Sequence, residues 1–593
     1  MEFRWQPKSL PNTDEIELLA EALRQHQAST NGNSAAAANG KATSLSQQLL
    51  ANPKMLSILL QRDINTVEKA KQFFKPSIDG LHDPFLMSDM DIAIQRISQA
   101  ITNKEGIIVY GDYDVDGTTA VSIVYDYFKS FNPFMDYYIP DRYKEGYGIS
   151  QIGLEYAINN GYKLMIALDC GIRSNDLIDF ANANGLDVII CDHHLPGETL
   201  PKATAILNPK KANCPYPYKE LSGAGIGFKL IQAYNEKQGL KPDQIYDYLD
   251  LVAVSIASDL VDIRGENRIL AYYGLKKLNE HPNIGLQALL TEHPKKAEYS
   301  FTDIVFGIGP RINAAGRISD AKAAVKVLIE KDYNSALKHA KELNARNIER
   351  KELDTDITRD AISILENNPS LNDHYSIVLR GTDWHKGVIG IVASRLVEQY
   401  NKPAIVFSLN HGLLTGSARS IKGFDIHEAI GKCGDLVDQF GGHKYAAGLT
   451  IKEENFEAFA TTFENIVKSS LTEEDLIPEV EYDIELDLSE INQDFMNLLK
   501  RLSPFGPGNS VPVFRTNGMK AGNSLRILKD KHLKIQVVSP RGPIDSIGFG
   551  MAEHMMNVNN GKSFNACYNI EENTYNGRTN LQLRLQDIKP CEG

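Results

Sequence analysis

The chain has 593 residues, 42% of them hydrophobic and 23% charged, with a formal net charge of −13. A chain of this length is too long to fold around a single hydrophobic core, so we expect about three or four domains. No apolar run approaches the roughly 20 residues of a membrane span, and the N-terminal residues lack the features of a signal peptide. We therefore expect a cytoplasmic protein with no membrane partner. A net negative charge argues against nonspecific binding along nucleic acid. Part of that charge would lie in carboxylates around metal ions, so a local basic groove is compatible with the negative total.

Residues 1–88 predict an N-terminal helical segment. Within it, residues 26–44 (HQASTNGNSAAAANGKATS) are poor in bulky apolar side chains. Such a stretch cannot bury enough surface to offset the entropy lost on ordering, so we expect an inserted loop or linker there. The six cysteines of the chain are scattered and form no Cys-x-x-Cys pair, so neither a zinc knuckle nor a disulfide framework is indicated.

Residues 89–330 alternate short apolar runs with helical stretches. The five runs are residues 106–111, 135–140, 163–169, 186–192 and 204–209. Continuous apolar strands separated by helices are typical of a parallel sheet covered on both faces. The pattern predicts a doubly wound α/β domain.

Three further segments complete the chain. Residues 331–368 contain no Gly or Pro and predict one long helix between domains. Residues 369–473 predict a second α/β domain, opened by the strand YSIVLR. Residues 474–593 alternate apolar and polar residues with turn signals between, which predicts a small β-barrel.

Acidic and histidine side chains follow several predicted strands of the first α/β domain. Asp112, Asp114 and Asp116 come directly after one strand, and Asp169 and the run Asp192-His193-His194 end two others. Asp259 ends a further apolar stretch. The carboxyl ends of parallel strands share one edge of the sheet, where ligands bind in such folds. Carboxylates brought together there repel each other unless a cation neutralises them.

Each of these motifs also has a simpler interpretation. The Asp-rich turn could be a solvated loop, and a single Asp after a strand is commonly a helix cap. An EF-hand is excluded, because Ile123 stands where the calcium loop requires Glu. Taken together, the carboxylates and imidazoles suit Mn²⁺ or Mg²⁺, and their number fits two ions per site. The combined pattern predicts hydrolysis of a phosphate ester.

Four motifs resemble the DHH phosphoesterase superfamily: GDYDVDG (111–117), ALDCG (167–171), CDHH (191–194) and ASDLVD (257–262). The resemblance implies that the metal ligands are Asp112, Asp114, Asp116, Asp169, His193 and Asp259, with Asp169 bridging two ions. It implies that Asp169, His193 and His194 form the catalytic centre. His194 would face the scissile phosphate, and Asp192 would orient the two histidines.

GGHKYAAG (441–448) resembles the DHHA1 companion domain, in which Gly442 and His443 would contact phosphate. A tight turn between a strand and a helix is the alternative. PRINAAGRI (310–318), WHKGVIGIVASRL (384–396), GSARSIKGFDIHEAI (416–430) and SPFGPGNSVPVF (503–514) resemble segments of the RecJ exonucleases. The resemblance extends from about residue 45 to the end. It implies a 5′→3′ exonuclease specific to single-stranded DNA that releases mononucleotides in DNA repair and recombination.

The same resemblance implies further contacts with the substrate. Arg311, Asn313, Arg317, Ser417 and Arg419 would bind phosphate, and Ser417 and Arg419 would form a pocket for the 5′-terminal phosphate. Ordinary salt bridges are the alternative for each arginine. A narrow passage between the two α/β domains would exclude duplex DNA. The barrel would be an OB-fold that binds single strands. Its candidate contacts are Phe505, Phe514, Arg526, Lys529, Lys531 and Lys534, although the two phenylalanines favour the core.

Three other functions fit parts of the pattern. A DHH enzyme for short oligonucleotides or an inorganic pyrophosphatase would not need the C-terminal barrel. A non-catalytic DNA-binding scaffold would be expected to lose the carboxylates, which are a liability without metal. We therefore expect an exonuclease. A single chain contains every needed part, so we expect a monomer, with single-strand-binding protein and a helicase as partners.

Overall fold

The computed structural model describes residues 2–31, 44–294, 296, 298–318, 320–410, 412–558, 561–575 and 577–591. The chain forms two compact units. The large unit contains Asp83–Asp259 and Gly274–Pro478, and the small unit contains Phe3–His82, Leu260–Tyr273 and the residues from Glu479 onward. No helix in the described ranges is both long enough and apolar enough to cross a membrane.

The N-terminal part of the small unit is mainly helical. Its elements are β1 (Arg4–Pro7), α1 (Thr13–Asn31), α2 (Leu45–Leu50), α3 (Pro53–Leu60) and α4 (Val67–Phe74). Helix α1 continues through Asn31, so the prediction of a loop is wrong for residues 26–31. The buried face of α1, which includes Leu19 and Leu23, stabilises the helix that these residues prolong. The rest of the predicted insertion up to residue 43 lies outside the described residues, and Ser44 caps α2 through a capping box.

The large unit begins with the predicted parallel sheet. Its elements are α5 (Met90–Thr102), β2 (Ile107–Gly111), α6 (Val115–Lys129), β3 (Met135–Tyr138), α7 (Gln151–Asn159), β4 (Leu164–Leu168), α8 (Asn175–Ala183), β5 (Asp187–Cys191) and β6 (Ala205–Leu207). The strand order is β3-β2-β4-β5-β6, and every neighbouring pair is parallel. All residues of β2 and β4 are buried, as expected of a sheet covered on both faces.

Helices follow the sheet and lead into the long helix. They are α9 (Gly223–Lys237), α10 (Asp243–Tyr246), α11 (Leu249–Ser258), α12 (Gly265–Glu280), α13 (Ile284–Thr291), α14 (Phe301–Asp303), α15 (Gly309–Ile318), α16 (Lys322–Ile329) and α17 (Tyr333–Asn367). Helix α17 agrees closely with the helix predicted over 331–368. Its first half packs on α13, α15 and α16. Its second half joins the core of the next domain through Ile357, Ala361 and Leu365.

The second α/β domain is a mixed sheet. Its elements are β7 (Ile377–Gly381), α18 (Ile389–Tyr400), β8 (Ala404–Asn410), β9 (Leu413–Arg419), α19 (Ile426–Gly431), β10 (Gln439–His443), β11 (Ala446–Lys452) and α20 (Phe456–Ser470). The strand order is β10-β11-β9-β8-β7, and only β7 and β8 are parallel. The GGHKYAAG motif forms the hairpin β10–β11, not a turn between a strand and a helix. A side chain at Gly442 would place Cβ 2.4 Å from the carbonyl oxygen of Ala446, so the hairpin needs glycine there.

The small unit ends in the barrel domain. Its elements are β12 (Glu479–Tyr482), β13 (Ile484–Glu485), α21 (Gln493–Lys500), β14 (Phe514–Met519), β15 (Ala521–Leu528), β16 (His532–Val537), β17 (Ile544–Gly548), α22 (Met555–Val558), β18 (Phe564–Tyr575) and β19 (Arg578–Pro590). Strands β13 to β19 form one sheet, in the order β13-β14-β18-β19-β17-β16-β15. The helices α1 to α4 share one hydrophobic core with this sheet. Phe514 is buried in that core and Phe505 packs against it.

Candidate active site

The acidic and histidine side chains meet at the carboxyl edge of the parallel sheet. Asp112 follows β2, Asp169 follows β4, and Asp192 and His193 follow β5. These three strands are adjacent, with β4 between β2 and β5, so their ends lie side by side. Asp259 reaches the same place as the C-cap of α11. The sequence prediction that these residues converge agrees with the structure.

Helix N-termini hold two of the carboxylates. Asp114 is the N-cap of α6 and accepts a hydrogen bond from the backbone N–H of Gly117, at 3.0 Å. Asp116 accepts hydrogen bonds from the N–H groups of Gly223 and Ala224, at 2.6 and 2.8 Å, where α9 begins. The partial positive charge of a helix N-terminus favours a negative side chain. These contacts fix where the carboxylates point.

Asp169 has an unusual backbone conformation. Its φ is +60°, in the left-handed region, and it is 2% exposed. Its Oδ1 lies 3.1 Å from Nε2 of His193. The same nitrogen lies 3.7 Å from Asp116 and 3.6 Å from Asp259. His193 therefore lies at the centre of three carboxylates.

Several buried polar atoms of this cluster make no hydrogen bond of suitable geometry among the described residues. They are Oδ2 of Asp112, Oδ1 of Asp169, and both ring nitrogens of His193, even though Asp169 Oδ1 and His193 Nε2 lie only 3.1 Å apart. A buried polar group without a partner costs free energy, and unsatisfied groups that converge indicate a missing ligand. Potential metal-binding atoms form two overlapping groups, Asp116–His193–Asp259 and Asp169–His193–His194. Carboxylate oxygens and an imidazole are the donors that Mn²⁺ and Mg²⁺ accept, so the residues fit the expected cations.

The electrostatics of the cluster also favour a cation. Burial, followed by the charges of neighbouring carboxylates, raises the pKa values of Asp112, Asp114 and Asp169 above their usual range. Burial and the charges of Asp116 and Asp114 raise the pKa of Asp259 to about 9. These carboxylates destabilise one another when they are all ionised. Divalent cations would remove that cost.

His194 is held differently from His193. Its Nδ1 lies 2.7 Å from Oδ1 of Asp192, which also accepts the backbone N–H of His194 at 3.0 Å. The other oxygen of Asp192 accepts the N–H of Ile172 at 2.9 Å. Burial opposes protonation of His194, but the hydrogen bond and charge of Asp192 leave its pKa raised. Because Asp192 occupies Nδ1, the geometry favours a role for Nε2 toward substrate over metal ligation through Nδ1.

A second cluster of the large unit is cationic. Arg317 lies on α15 and donates from Nη1 to the carbonyl oxygen of Gly387, at 3.1 Å. Burial and the charges of Arg142 and Arg419 lower the pKa of Arg317 to about 10. Burial and Arg142 likewise lower the pKa of Arg419. Guanidinium groups that repel each other in this way are stabilised by an anion.

The start of α18 faces the same cluster. A Cβ built on Gly390, the second residue of this helix, would lie 2.7 Å from Oγ of Ser417 and 3.0 Å from Nη2 of Arg419. The structure thus places Ser417 and Arg419 against a helix N-terminus, a favourable position for phosphate. The charges of both clusters affect the pKa of His443. Burial, then the charges of Arg419 and His194, lower its pKa.

Arg311 does not belong to either cluster. Its Nη1 donates to Gly307, its Nη2 to the carbonyl oxygen of Glu292, and its Nε to Asn344. The guanidinium thus holds the segment before α15 against α17, and phosphate binding by Arg311 stays a prediction. Asn313 is half-buried on α15, one helical turn before Arg317.

Sequence reasoning missed a loop that joins the two clusters. The loop lies between β3 and α7 and contains Arg142, Tyr143 and Tyr147. The Arg142 guanidinium lies 4.9 Å from the ring centre of Tyr113. The Tyr143 hydroxyl donates to the carbonyl oxygen of Arg317. The segment DRYKEGYG (141–148) carries an unusual density of Arg, Tyr and Gly between two elements, and this composition is the signal that could have identified it.

The barrel carries a polar face in the small unit. Arg526, Lys534, Arg578 and five further residues line an open cavity of about 580 Å³. Lys534 pairs with Arg526 across β15 and β16. Lys529 and Lys531 lie in the turn between those strands. Arg584 of β19 lies over the ring of Phe549, which follows β17, at 5.4 Å, and Phe549 is 54% exposed.

Known proteins resemble this chain over nearly its whole length. The DHH family N-terminal domain matches residues 106–256, the DHHA1 domain matches 373–469, and the RecJ OB domain matches 482–587. The single-stranded-DNA-specific exonuclease RecJ of Bacillus subtilis is 36% identical over 556 residues, which are 93% of this chain and 70% of that protein. Its counterpart in Haemophilus influenzae is 34% identical over 537 residues, covering 87% of this chain and 93% of the relative.

A solved structure supports the same assignment. The crystal structure of RecJ from Thermus thermophilus in complex with Mn²⁺ matches all of this chain and 80% of its own, with a TM-score of 0.80 and 25% identity. Relatives and solved structure agree with the arrangement of an α/β domain, a companion domain and an OB-fold. The predicted fold class is therefore confirmed. The chain belongs to the RecJ family of single-stranded-DNA-specific exonucleases.

Proposed function

We propose that this protein is a metal-dependent exodeoxyribonuclease that hydrolyses single-stranded DNA from its 5′ end and releases 5′-mononucleotides in DNA repair and recombination. One observation carries this proposal above the others. The carboxyl edge of the parallel sheet gathers buried carboxylates and an imidazole, several of whose polar atoms lack hydrogen bonds among the described residues, and the loop after β3 connects this edge with the cationic cluster through Gly148 and Tyr143. Such an arrangement fits a divalent cation on one side and a phosphate on the other.

The proposed ligands of two cations, Mn²⁺ or Mg²⁺, are Asp112, Asp114, Asp116, Asp169, His193 and Asp259, with Asp169 shared between them. Bound cations would supply positive charge that stabilises the phosphate in the transition state and makes a nearby water more acidic. The helix N-termini at Asp114 and Asp116 keep those carboxylates oriented before any cation binds. The catalytic residues Asp169, His193 and His194 then surround the scissile phosphate.

We assign His194 to the phosphate itself. Its Nε2 is the ring atom that Asp192 leaves available, and the hydrogen bond and charge of Asp192 raise the pKa of the ring. A protonated imidazole can donate a hydrogen bond to a phosphate oxygen as negative charge accumulates. Asp192 acts through His194, because its carboxylate is fixed by two backbone N–H groups and fixes the ring in turn.

The direction of digestion along the strand would be set by the cationic cluster that contains Arg142, Arg317 and Arg419. A terminal phosphate carries more charge than a phosphate within the strand, and it suits Arg419, Ser417 and the N-terminus of α18. Arg317 and Arg142 add charge from the first domain, and Gly442 and His443 line the approach from the second. Only the 5′ end of a phosphorylated strand presents such a group beside the first phosphodiester bond. The pocket would therefore select that end.

Selectivity for single strands would come from two features. The first is a passage between the two α/β domains, whose spacing is supported by α17 because this helix packs on both. The second is the polar face of the barrel, where Phe549 and Arg584 offer a surface for base stacking and Arg526, Lys534 and Arg578 offer charge for the backbone. Both features accept a flexible strand more readily than a duplex.

We further propose that the protein works in the cytoplasm as a monomer. Support for the monomer is that one chain supplies both clusters. A helicase and single-strand-binding protein are the partners we propose, since they generate and protect the single strands that such an enzyme consumes. Sedimentation of the protein at micromolar concentration would test the monomer, and a dimer would contradict it.

The activity itself can be tested on one oligonucleotide in four conditions. The protein is incubated with a 5′-phosphorylated single strand and with its blunt duplex, each with Mn²⁺ and with a chelator. We expect mononucleotides only from the single strand with Mn²⁺. An intact single strand in Mn²⁺, with hydrolysis of a dinucleotide in a parallel reaction, would instead indicate an enzyme for short oligonucleotides, and cleavage in chelator would contradict the metal centre.

A further inference from the structure

Tyr147 lies beside the carboxylate cluster and contacts His194. Its hydroxyl oxygen is 3.1 Å from Nε2 and 3.5 Å from Nδ1 of that ring. The two rings meet edge to face, with centres 5.9 Å apart. We propose that Tyr147 is a positioning residue that holds the imidazole of His194 in the orientation required to face the scissile phosphate. This inference rests on the proposed function, because it gives His194 a task in the reaction.

Two other groups also contact His194. Asp192 binds Nδ1 at 2.7 Å, and the ring of His193 lies 4.5 Å away, centre to centre. The Tyr147 hydroxyl is near both nitrogens of His194, so it lies against the ring instead of in line with a single nitrogen. The His194 side chain is still 45% exposed, which leaves part of the ring open toward a substrate. Without the tyrosine hydroxyl, the hydrogen bond to Asp192 would still permit the ring to tilt about that contact.

Glycines and hydrogen bonds of the loop between β3 and α7 fix the position of Tyr147. Gly146 and Gly148 flank Tyr147 with φ values of +86° and +81°, which other residues rarely adopt. The N–H of Gly148 donates to Oδ1 of Asp112 at 3.3 Å, and its carbonyl oxygen accepts from the buried hydroxyl of Tyr110 at 2.9 Å. The loop is thus fastened to the carboxylate cluster and to the sheet.

Tyr147 itself remains 55% exposed despite these anchors. Its hydroxyl also lies 3.3 Å from the carbonyl oxygen of Asp169, and its ring packs edge to face on Tyr113. A tyrosine that served only as a stacking surface for a base would not need its hydroxyl. The two roles are therefore separated by the substitution Tyr147→Phe, which keeps the ring and removes the oxygen.

The kinetic test compares Tyr147→Phe, His194→Ala and the double variant on a 5′-phosphorylated single strand with saturating Mn²⁺. We expect Tyr147→Phe to lower kcat about tenfold, the effect of losing one hydrogen bond, with KM and melting temperature unchanged. In the His194→Ala background the same substitution should have no further effect. Tyr156→Phe, at a tyrosine that packs on Tyr138 and Tyr162, is the matched control and should match the unsubstituted protein.

Two kinetic outcomes would overturn the inference. One is a Tyr147→Phe variant with kcat within twofold of the unsubstituted protein, which would reduce the tyrosine to a stacking surface. The other is an equal loss in both backgrounds, which would mean that Tyr147 acts independently of His194. Absence of cleavage by the unsubstituted protein would contradict the proposed function, not the placement of Tyr147.

A second measurement tests the placement without any reaction. Diethyl pyrocarbonate modifies accessible imidazoles, and mass spectrometry of peptides follows the rate at His194. Because the hydroxyl lies against the ring, we expect His194 to be modified more slowly in the unsubstituted protein than in Tyr147→Phe. His339, half-buried on α17 and remote from this loop in sequence, is the internal control and should react equally in both. Equal rates at His194 in the two proteins would overturn the inference even if the enzyme is active.

Discussion

Asp169 combines three unfavourable features at a single residue. Its backbone is left-handed, its carboxylate is buried, and its neighbours carry the same charge. Backbone strain at a residue other than glycine persists only where the surrounding structure enforces it, and it is concentrated at functional sites. These costs are consistent with a residue kept for binding cations at the expense of stability.

The substitution Asp169→Asn separates charge from shape. Asparagine adopts the left-handed region as readily as aspartate, so the backbone should be unaffected. We expect activity to fall roughly a hundredfold or more, as when one electrostatic group of an active site is removed. We also expect the melting temperature without metal to rise, because one repelling charge is gone. Asp356→Asn, at an exposed residue of α17, should change neither quantity. Full activity in Asp169→Asn would contradict the bridging role.

The raised pKa of Asp259 predicts how stability depends on pH. A carboxyl group whose pKa is about 9 when folded and about 4 when unfolded binds more protons in the folded state. Its contribution to the free energy of unfolding is therefore favourable below pH 4 and is lost as pH rises toward 9. The slope is at most about 1.4 kcal/mol per pH unit for each such group.

Urea unfolding in chelator between pH 6 and 9 measures this effect. We expect the free energy of unfolding to fall with pH, and to fall less steeply in Asp259→Asn. With Mn²⁺ the trend should weaken or reverse, because metal binding favours the deprotonated carboxylates. Identical slopes for the two proteins in chelator would show that Asp259 is not a shifted group.

The sequence predicted the members of the carboxylate cluster more completely than those of the cationic cluster. A carboxylate or imidazole directly after an apolar strand has a position fixed by the topology, so Asp112, Asp169 and His193 were predictable. Arginines have long side chains and lie on helices and loops, so their targets depend on tertiary packing. This is why Arg311 was predicted to bind phosphate although it binds backbone carbonyls, and why Arg142 was missed.

Helix α9 is the element on which the metal centre depends most directly. Its first N–H groups bind Asp116, and this contact requires glycine at its start. A Cβ on Gly223 would lie 2.7 Å from Cβ of Asp169 and 3.0 Å from Oδ2 of Asp116. The helix can approach the carboxylates only because that position carries no side chain.

Gly223→Ala should therefore displace the carboxylates, and we expect Mn²⁺ affinity to fall about 10- to 100-fold, as when groups that support metal ligands are lost. Isothermal titration with Mn²⁺ measures it. Gly225→Ala, two residues further along α9, is the matched control. Its Cβ would meet nothing closer than 3.3 Å, so we expect normal affinity. Equal affinities in the two variants would contradict the close approach of α9.

The barrel face predicts a separate effect on DNA binding. Phe549→Ala should raise KM for a long single strand roughly tenfold and leave kcat unchanged, since stacking of one base contributes about 1–3 kcal/mol. Phe134→Ala is the matched control because Phe134 is 55% exposed on the large unit, against 54% for Phe549. Phe134→Ala should behave as the unsubstituted protein does. A normal KM in Phe549→Ala would remove this face from the binding surface.

The periodicity of apolar residues predicted the elements best where burial was complete. All five strands of the parallel sheet and the long helix α17 are present within a few residues of their predicted limits. Long-range pairing was less predictable. The hairpin β10–β11 depends on which strand lies beside it, and the extension of α1 depends on a core that the barrel completes.

At the scale of the whole molecule, the N-terminal and C-terminal segments of the chain pack together in the small unit. Trp5 of β1 donates from Nε1 to Asp587 of β19 at 2.7 Å, and β1 pairs in parallel with β12. Arg62 of the small unit donates to Asn509 at 2.9 Å and contacts the buried Asp483. The N-terminal segment, which sequence analysis treated as separate, is thus part of the barrel's core. The two segments are far apart along the chain, so the sequence alone did not indicate that they share a core.

We propose that this chain digests single-stranded DNA from the 5′ end at the carboxylate cluster. A time course on one oligonucleotide, labelled either at its 5′ or at its 3′ end and incubated with Mn²⁺, tests both the direction and the site. We expect immediate release of labelled mononucleotide from the 5′-labelled strand and gradual shortening of the 3′-labelled strand, with neither in Asp169→Asn. Release of the 3′ label first, or products of intermediate length from both strands at early times, would contradict it.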